Sequence, residues 1–433
     1  MKKFIFSILV ICLLSGCSEN RPVGQYPVID VGSSVGDYKR AYLSEYFSPI
    51  ELVALETSDV SLVGGGPNVF FRDSFIFVSS LTTTRVIPEQ RNILVFNRNG
   101  KFLNKIGALG RGPGEYIGIN NIFFSHERQT IYVFDGFNIF EYEFCGLFIR
   151  SFPVPVVDGQ GLWNVSCVED DVFVGSFLSG YLENLEYKYC LFDNNGEIIK
   201  CFPNNYYTDN MTTGNSWVIS STFASFKIDD KLYLKDNIND TLYTLVNMDL
   251  QPMFVFDFGK YSYPLGKINE EGKREILTIN NAEADNLYMR IIEIVGTPNH
   301  FFYSLYTARI APGPESRPNI DPNFPRAQRP GRETVYAVYC IATNSNKILD
   351  SDQFLQKGLI NDINGGLSFF PRYYAGDGIV VDVWQAEDMK EILTEEYFAS
   401  VEIKDAAAHQ KLREILKNLD WEDNPVVVIA RLK

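Results

Sequence analysis

The chain is written in pairs of short apolar runs, each pair split by a polar turn. Residues 92–107 read NILVFNRNGKFLNKIG, 140–153 read FEYEFCGLFIRSFP, 189–203 read YCLFDNNGEIIKCFP and 242–259 read LYTLVNMDLQPMFVFDFG. Each is a strand, a turn and a second strand. In the first three a glycine closes the turn: Gly100, Gly146 and Gly196, spaced 46 and 50 residues apart. Glycine supplies the positive φ that a tight hairpin needs. Another strand pair precedes each of these, at 68–79, 121–135, 163–176 and 223–235, with polar turns such as Asp73-Ser74 and Asp229-Asp230. Four strands in about 40–50 residues, repeated, is the period of a propeller blade. A sandwich would not repeat this grammar at a fixed spacing.

The later repeats are interrupted. Residues near 267–290 have helical composition, and 308–332, rich in Pro, Gly, Asn and Arg, predict a long loop inside a fifth unit built from 291–304 and 334–349. The sixth unit reads LSFFPRYYAGDGIVVDVW over 367–384. A second helical insertion follows near 387–419, where Ala408, Leu412, Ile415, Leu416 and Leu419 mark one apolar face. The last strand, 426–432, is expected to share the sixth blade with 50–55 (IELVAL), which removes an open sheet edge. The expectation is an all-β, six-bladed β-propeller over 48–433, closed by its N- and C-terminal strands.

The first residues change the picture of location. Met1-Lys2-Lys3 is basic, Phe4 to Leu14 is an uncharged run of eleven residues, and Ser15-Gly16-Cys17 follows. The run is too short to cross a hydrocarbon core of roughly 30 Å, so it reads as a targeting segment. Leu14-Ser15-Gly16-Cys17 is similar to a lipobox. Residues 1–16 are then a lipoprotein signal, Cys17 carries lipid, and 17–47 form a tether to an outer-membrane site. The leaflet stays open, although Ser18-Glu19-Asn20-Arg21 holds a single acidic residue. Loss of Lys2 and Lys3 takes the formal charge from −15 to −17, which argues against nucleic acid as a partner.

Five cysteines remain in the body: Cys145, Cys167, Cys190, Cys201 and Cys340. Cys190 and Cys201 flank the turn Asp193-Asn194-Asn195-Gly196. A two-residue turn sets them opposite each other, and a three-residue loop with a glycine bulge separates them. Both a disulfide and a pair of buried thiols fit this spacing.

Three stretches carry a family resemblance: Leu55-Glu56-Thr57 with Ser61-Leu62-Val63-Gly64; residues 93–116, ILVFNRNGKFLNKIGALGRGPGEY; and Glu422-Asp423-Asn424-Pro425-Val426. In these the chain resembles the six-bladed β-propeller lipoproteins of Bacteroidetes, which are similar to NHL-repeat propellers. The resemblance covers nearly all of the mature chain and implies a six-bladed fold, an envelope location and no settled activity. The Pro- and Arg-rich segment at 308–332 departs from the family pattern.

The candidate chemistry is sparse. GALGRGPGEY (107–116) lacks the Gly-Lys-Ser/Thr of a phosphate loop. It reads either as a connection between blades or as a loop aiming Arg111, Glu115 and Tyr116 into the central funnel. His126, His300 and His409 lie at no metal-ligand spacing, and no nucleophile-elbow sequence is present. No cofactor is expected, although Asn120, Asn121, Asn164 and Asp377 near the blade starts could hold a channel Ca²⁺. No acidic calcium loop supports it. Trp163, Trp217, Tyr373 and Tyr374 are either ligand-stacking aromatics or core between blades. Arg290 and Arg372 either bind an anion or pair with carboxylates. Asp240-Thr241-Leu242 fits an O-glycosylation pattern. These features favour a binding or scaffold module for an envelope protein, peptide or glycan over a metal-assisted hydrolase or lyase in the channel.

Overall fold

The structure, a computed structural model, describes residues 26–64, 66–79, 92–125, 127–177, 186–204, 223–229, 231–236, 239–262, 287–309, 332–350 and 358–433. The chain folds as a six-bladed β-propeller. Blade 1 is Asn68–Arg72, Phe75–Ser79, Ile93–Asn97 and Phe102–Ile106; blade 2 is Asn121–Phe124, Thr130–Phe134, Asn138–Glu143 and Phe148–Pro153. Blade 3 is Leu162–Glu169, Val172–Phe177, Tyr187–Asp193 and Ile198–Pro203; blade 4 is Phe223–Ile228, Lys231–Asp236, Thr241–Val246 and Asp249–Asp257. Blade 5 is Leu287–Gly296, His300–Arg309, Arg332–Cys340 and Ser345–Ile348. Blade 6 is Tyr373–Gly376, Ile379–Trp384, Val426–Leu432 and, outermost, Phe47–Ala54.

Strands buried on both faces read as apolar runs because successive side chains point to opposite sides. In Thr130–Phe134, Ile131 and Val133 pack toward blade 1 while Tyr132 and Phe134 pack toward blade 3. The same division repeats around the ring. Among the described residues six apolar clusters form, one in each gap between neighbouring blades. Stability therefore rests on contacts between blades, and no blade buries its faces alone.

The repeating glycine has two jobs. Gly100, Gly146 and Gly196 adopt φ of 81°, 90° and 77°. Each also abuts the end of the preceding blade's outer strand. A Cβ on Gly146 would lie 2.7 Å from the Lys105 carbonyl oxygen, and one on Gly196 would lie 2.8 Å from that of Pro153. Gly146→Ala is expected to destabilise the fold by about 2 kcal/mol, through both backbone strain and this clash. Urea unfolding would measure it.

Three residues after each glycine sits a β-bulge. Leu103, Ile149 and Ile199 are the extra residues in the outer strands of blades 1, 2 and 3, and all three project outward. This second repeating feature keeps the 46 and 50 residue spacing of the glycines.

Ring closure joins the two ends of the chain. Ile50 lies opposite Ala430 and Ala54 opposite Val426, antiparallel. The segment read as a tether up to residue 47 needs correction. Val28–Asp30 adds to blade 4 as a fifth strand, parallel to Asp249–Asp257. From there the chain runs past blade 5, where Lys39 bridges Leu349, into the short helix Leu43–Tyr46 against blade 6. Ile29, Val31, Ala41, Leu43 and Phe47 are buried on this path. An apolar alternation beside an open sheet edge docks rather than floats.

The insertion near 267–290 is also corrected at its end. Residues 287–290 begin the inner strand of blade 5, as the β-branched run Ile291-Ile292 allows. Residues 263–286 lie outside the described residues. The second insertion is helical: Ala386–Ile392, Glu395–Ser400 and Ala406–Asn418, between the second and third strands of blade 6. Thr394 and Asp405 cap the last two helices with their side chains.

Candidate functional site

Each blade is an antiparallel meander, so its connections alternate between two sides. The turns from first to second strand and from third to fourth are tight. Many use a residue with positive φ, including Asp73, Asp171, Asp229, Asn344 and Asp377. The connections from second to third strand, and from each blade to the next, leave from the other side. They include the path from Ile106 to Asn121, the helical insertion between Trp384 and Val426, and the sequence between Arg309 and Arg332. Variable length is thus confined to one face, where binding residues usually sit.

Large apolar side chains stand exposed on this long-connection face at blades 2 and 3: Ile117, Phe137, Val156 and Trp163 are 51, 66, 62 and 48% exposed. A buried carboxylate fixes the backbone of the first two. Asp135 Oδ1 accepts from the Phe137 and Asn138 amides at 2.9 and 2.8 Å, and Oδ2 accepts from the Ile117 amide at 3.3 Å. The Phe137 carbonyl in turn accepts from the Val154 amide at 3.0 Å. Trp163 is held out by a β-bulge between Leu162 and Asn164. Leu162 takes the buried place, against Gly175, which has no side chain to oppose it. The Asn121 side chain donates to the Val165 carbonyl at 2.7 Å and ties the inner strands of blades 2 and 3 together. Sequence reading named Trp163 as a candidate and did not name its neighbours. The available signal was an aromatic inside the turn Asp135-Gly136-Phe137-Asn138.

Other candidates fall elsewhere. Tyr116 is fully buried between blades 1 and 2, donating to the Ile106 carbonyl at 2.9 Å, and burial pushes its phenol up in pKa. Glu115 accepts from the Gly112 amide at 2.7 Å and so closes its own loop. The loop lies against Tyr142 and Phe148 in the outer strands of blade 2. Arg111 is exposed on it, away from the axis. The funnel reading of these three residues is therefore corrected: the glycine-rich stretch is a packed connection. Tyr373 meets Phe70 and Phe124, with ring centroids 5.0 and 6.4 Å away, so the inner strands of blades 6, 1 and 2 meet as aromatics near the axis. Arg372 pairs with Asp382 at 2.8 Å, and the Phe370 and Val383 amides donate to the same buried carboxylate. The Arg290 guanidinium lies over the Tyr306 ring.

Asp377 sits in a tight turn on the side opposite Asn120, Asn121 and Asn164, so these four do not converge. Among the described residues no three His, Cys, Asp or Glu side chains gather where a metal ion could be held. Cys17, Trp217 and His126 lie outside the described residues.

A family model described as a domain of unknown function, DUF4934, matches residues 26–431. The chain belongs to the DUF4934 family. No curated protein matches it. Among solved structures, a Bacteroides fragilis protein described as exported aligns with 17% identity and a TM-score of 0.59, covering 94% of this chain and 99% of its own. A member of the DUF4221 family from Bacteroides vulgatus aligns with 13% identity and a TM-score of 0.49, covering 89% and 97%. At such identity the first likeness shows a shared fold alone.

The two terminal motifs of this DUF4934 chain form one latch. The Asn424 side-chain amide donates to the Glu56 and Ser61 carbonyls at 2.7 and 2.8 Å, and its oxygen accepts from the Val63 amide at 2.8 Å. The Asn424 backbone amide donates to Thr57 Oγ1 at 2.9 Å. These motifs hold blade 6 to the connection into blade 1.

Proposed function

We propose that this propeller is an exported, lipid-anchored binding module that captures a protein partner on its long-connection face. The observation that carries the reading is four large exposed side chains on this face, Trp163, Phe137, Ile117 and Val156, with Phe137 and Ile117 held through Asp135 and Trp163 by a bulge. Exposed apolar side chains gathered on one face mark interaction surfaces, and aromatic anchors dominate protein interfaces. The aliphatic members suit a protein better than a sugar, which presents hydroxyls. Export is supported by the leader of residues 1–16, cut before Cys17, and by the fold shared with the Bacteroides fragilis protein described as exported. The lipid on Cys17, after Leu14-Ser15-Gly16, is the proposed anchor. Docking from residue 28 onward leaves only about ten residues of tether, which span at most about 35 Å. The rim of blade 4 is thereby kept close to the bilayer.

The test is a photoreactive residue placed at position 163 or 137 in cells, with position 103 on the rim as control. The expected result is one discrete crosslinked product from 163 and 137 alone. With that partner purified, Trp163→Ser is expected to weaken binding about 30-fold or more. Equal crosslinking from position 103, or no weakening, would overturn the reading.

A further inference from the structure

We infer that Cys190 and Cys201 are joined in the exported protein as a disulfide across the outer hairpin of blade 3. The two residues lie directly opposite each other in the antiparallel pair Tyr187–Asp193 and Ile198–Pro203. Opposed residues in such a ladder have Cα atoms about 4.5–5.5 Å apart and side chains on one face, inside the range a disulfide spans. Both side chains enter the same apolar cluster between blades 2 and 3.

This register is a product of the bulge. The hairpin closes with the three-residue loop Asn194-Asn195-Gly196, since the Asp193 amide donates to the Glu197 carbonyl. That loop alone would set Cys190 against Lys200. The extra residue at Ile199 shifts the pairing back and brings Cys201 opposite Cys190. The equivalent positions in blades 1 and 2 are Leu94 with Lys105 and Phe140 with Ser151. The repeat itself does not ask for cysteine there, yet both positions hold it where they face each other. The remaining cysteines have no such partner: Cys167 lies opposite Phe173, Cys340 lies opposite His300 and Ser345, and Cys145 sits in a turn.

The chemistry is thiol–disulfide exchange with a carrier protein disulfide of the envelope, so the inference rests on the export reading. Cys201 is partly exposed and meets the carrier first. Its thiolate attacks one carrier sulfur, forming a mixed disulfide and releasing a carrier thiol. Cys190, whose thiol burial pushes up to about 12, then attacks the Cys201 sulfur and expels the second carrier thiol. Two protein thiols are oxidised and one carrier disulfide is reduced to two thiols.

Two measurements test the bond. The mature chain made in a reducing cytosol is equilibrated in a glutathione redox buffer, and its cysteines are mapped by alkylation and mass spectrometry. Cys190 and Cys201 are expected to be lost together as one linked pair, with Cys145, Cys167 and Cys340 still alkylated. Cys190→Ser is expected to leave Cys201 unable to form that link. If both stay alkylated, or Cys201 keeps glutathione, the inference fails on geometry. Acid-trapped cells are then alkylated and fractionated. A reduced pair in envelope-located protein sinks the bond alone, whereas a reduced pair in protein found in the cytosol sinks the export reading with it.

Discussion

Asn424→Leu is expected to cost the propeller about 4 kcal/mol, a large loss for a single polar substitution. The side chain is buried, and its removal strands the Ser61 carbonyl and the Val63 amide and leaves the Glu56 carbonyl only the Ser61 hydroxyl. Each buried group left unsatisfied costs about 1–3 kcal/mol. Asn424→Asp is nearly isosteric, yet it is expected to be as damaging. It turns both donors into an acceptor facing two carbonyl oxygens. Urea unfolding at neutral pH separates this latch from a mere packing role: if the aspartate variant matches the native chain, the hydrogen bonds are not what holds the closure. Ring closure makes the effect global, because blade 6 is built from both ends of the chain.

Arg150→Ala should come second, at about 3 kcal/mol. Arg150 Nε pairs at 2.6 Å with Glu141, whose side chain is only 2% exposed, and its other end reaches Asp171 in blade 3. Thr130 Oγ1 donates to the other Glu141 oxygen at 2.9 Å. Removing the guanidinium leaves a buried carboxylate with one hydroxyl for company, and breaking a buried pair from one side is the costly direction. Arg150→Met with Glu141→Gln is expected to recover most of the loss, since no charge is then left unpaired.

The same network links stability to pH. The Arg128 guanidinium, and then Arg150, hold the Asp171 carboxyl well below the usual carboxylate range. A lowered pKa contributes stability that is fully present above the ordinary carboxylate value, about 4. It is lost as pH falls from there through the folded-state pKa. Asp171→Asn should therefore weaken the protein at pH 7 and flatten its decline in acid. Unfolding midpoints measured from pH 7 down to about pH 2 would show whether the two curves draw together below pH 4.

The glycine-rich stretch shows where sequence reading reached its limit. GALGRGPGEY is the sharpest local motif, and its glycines pointed equally to a ligand loop and to a connection. What decided between them was the burial of Tyr116 and the contacts of Gly114 with Phe148 and Tyr142, residues some 30 positions away. The cysteine pair shows the same limit. Its spacing left two registers open, and one bulge at Ile199 chose between them.

The sequence by itself determined the six repeating units, their tight turns and the pairing of the terminal strands. These follow from short apolar runs split by polar turns and from glycines in those turns, and both are local signals. Tertiary structure decided which apolar residues remain outside. It set Phe137 and Trp163 in solvent on one face, drew residues 28–47 onto the rim, and joined Asn424 to Glu56 and Ser61. Each of those outcomes depends on partners far away along the chain, and a sequence pattern carries no distance between residues that only folding brings together.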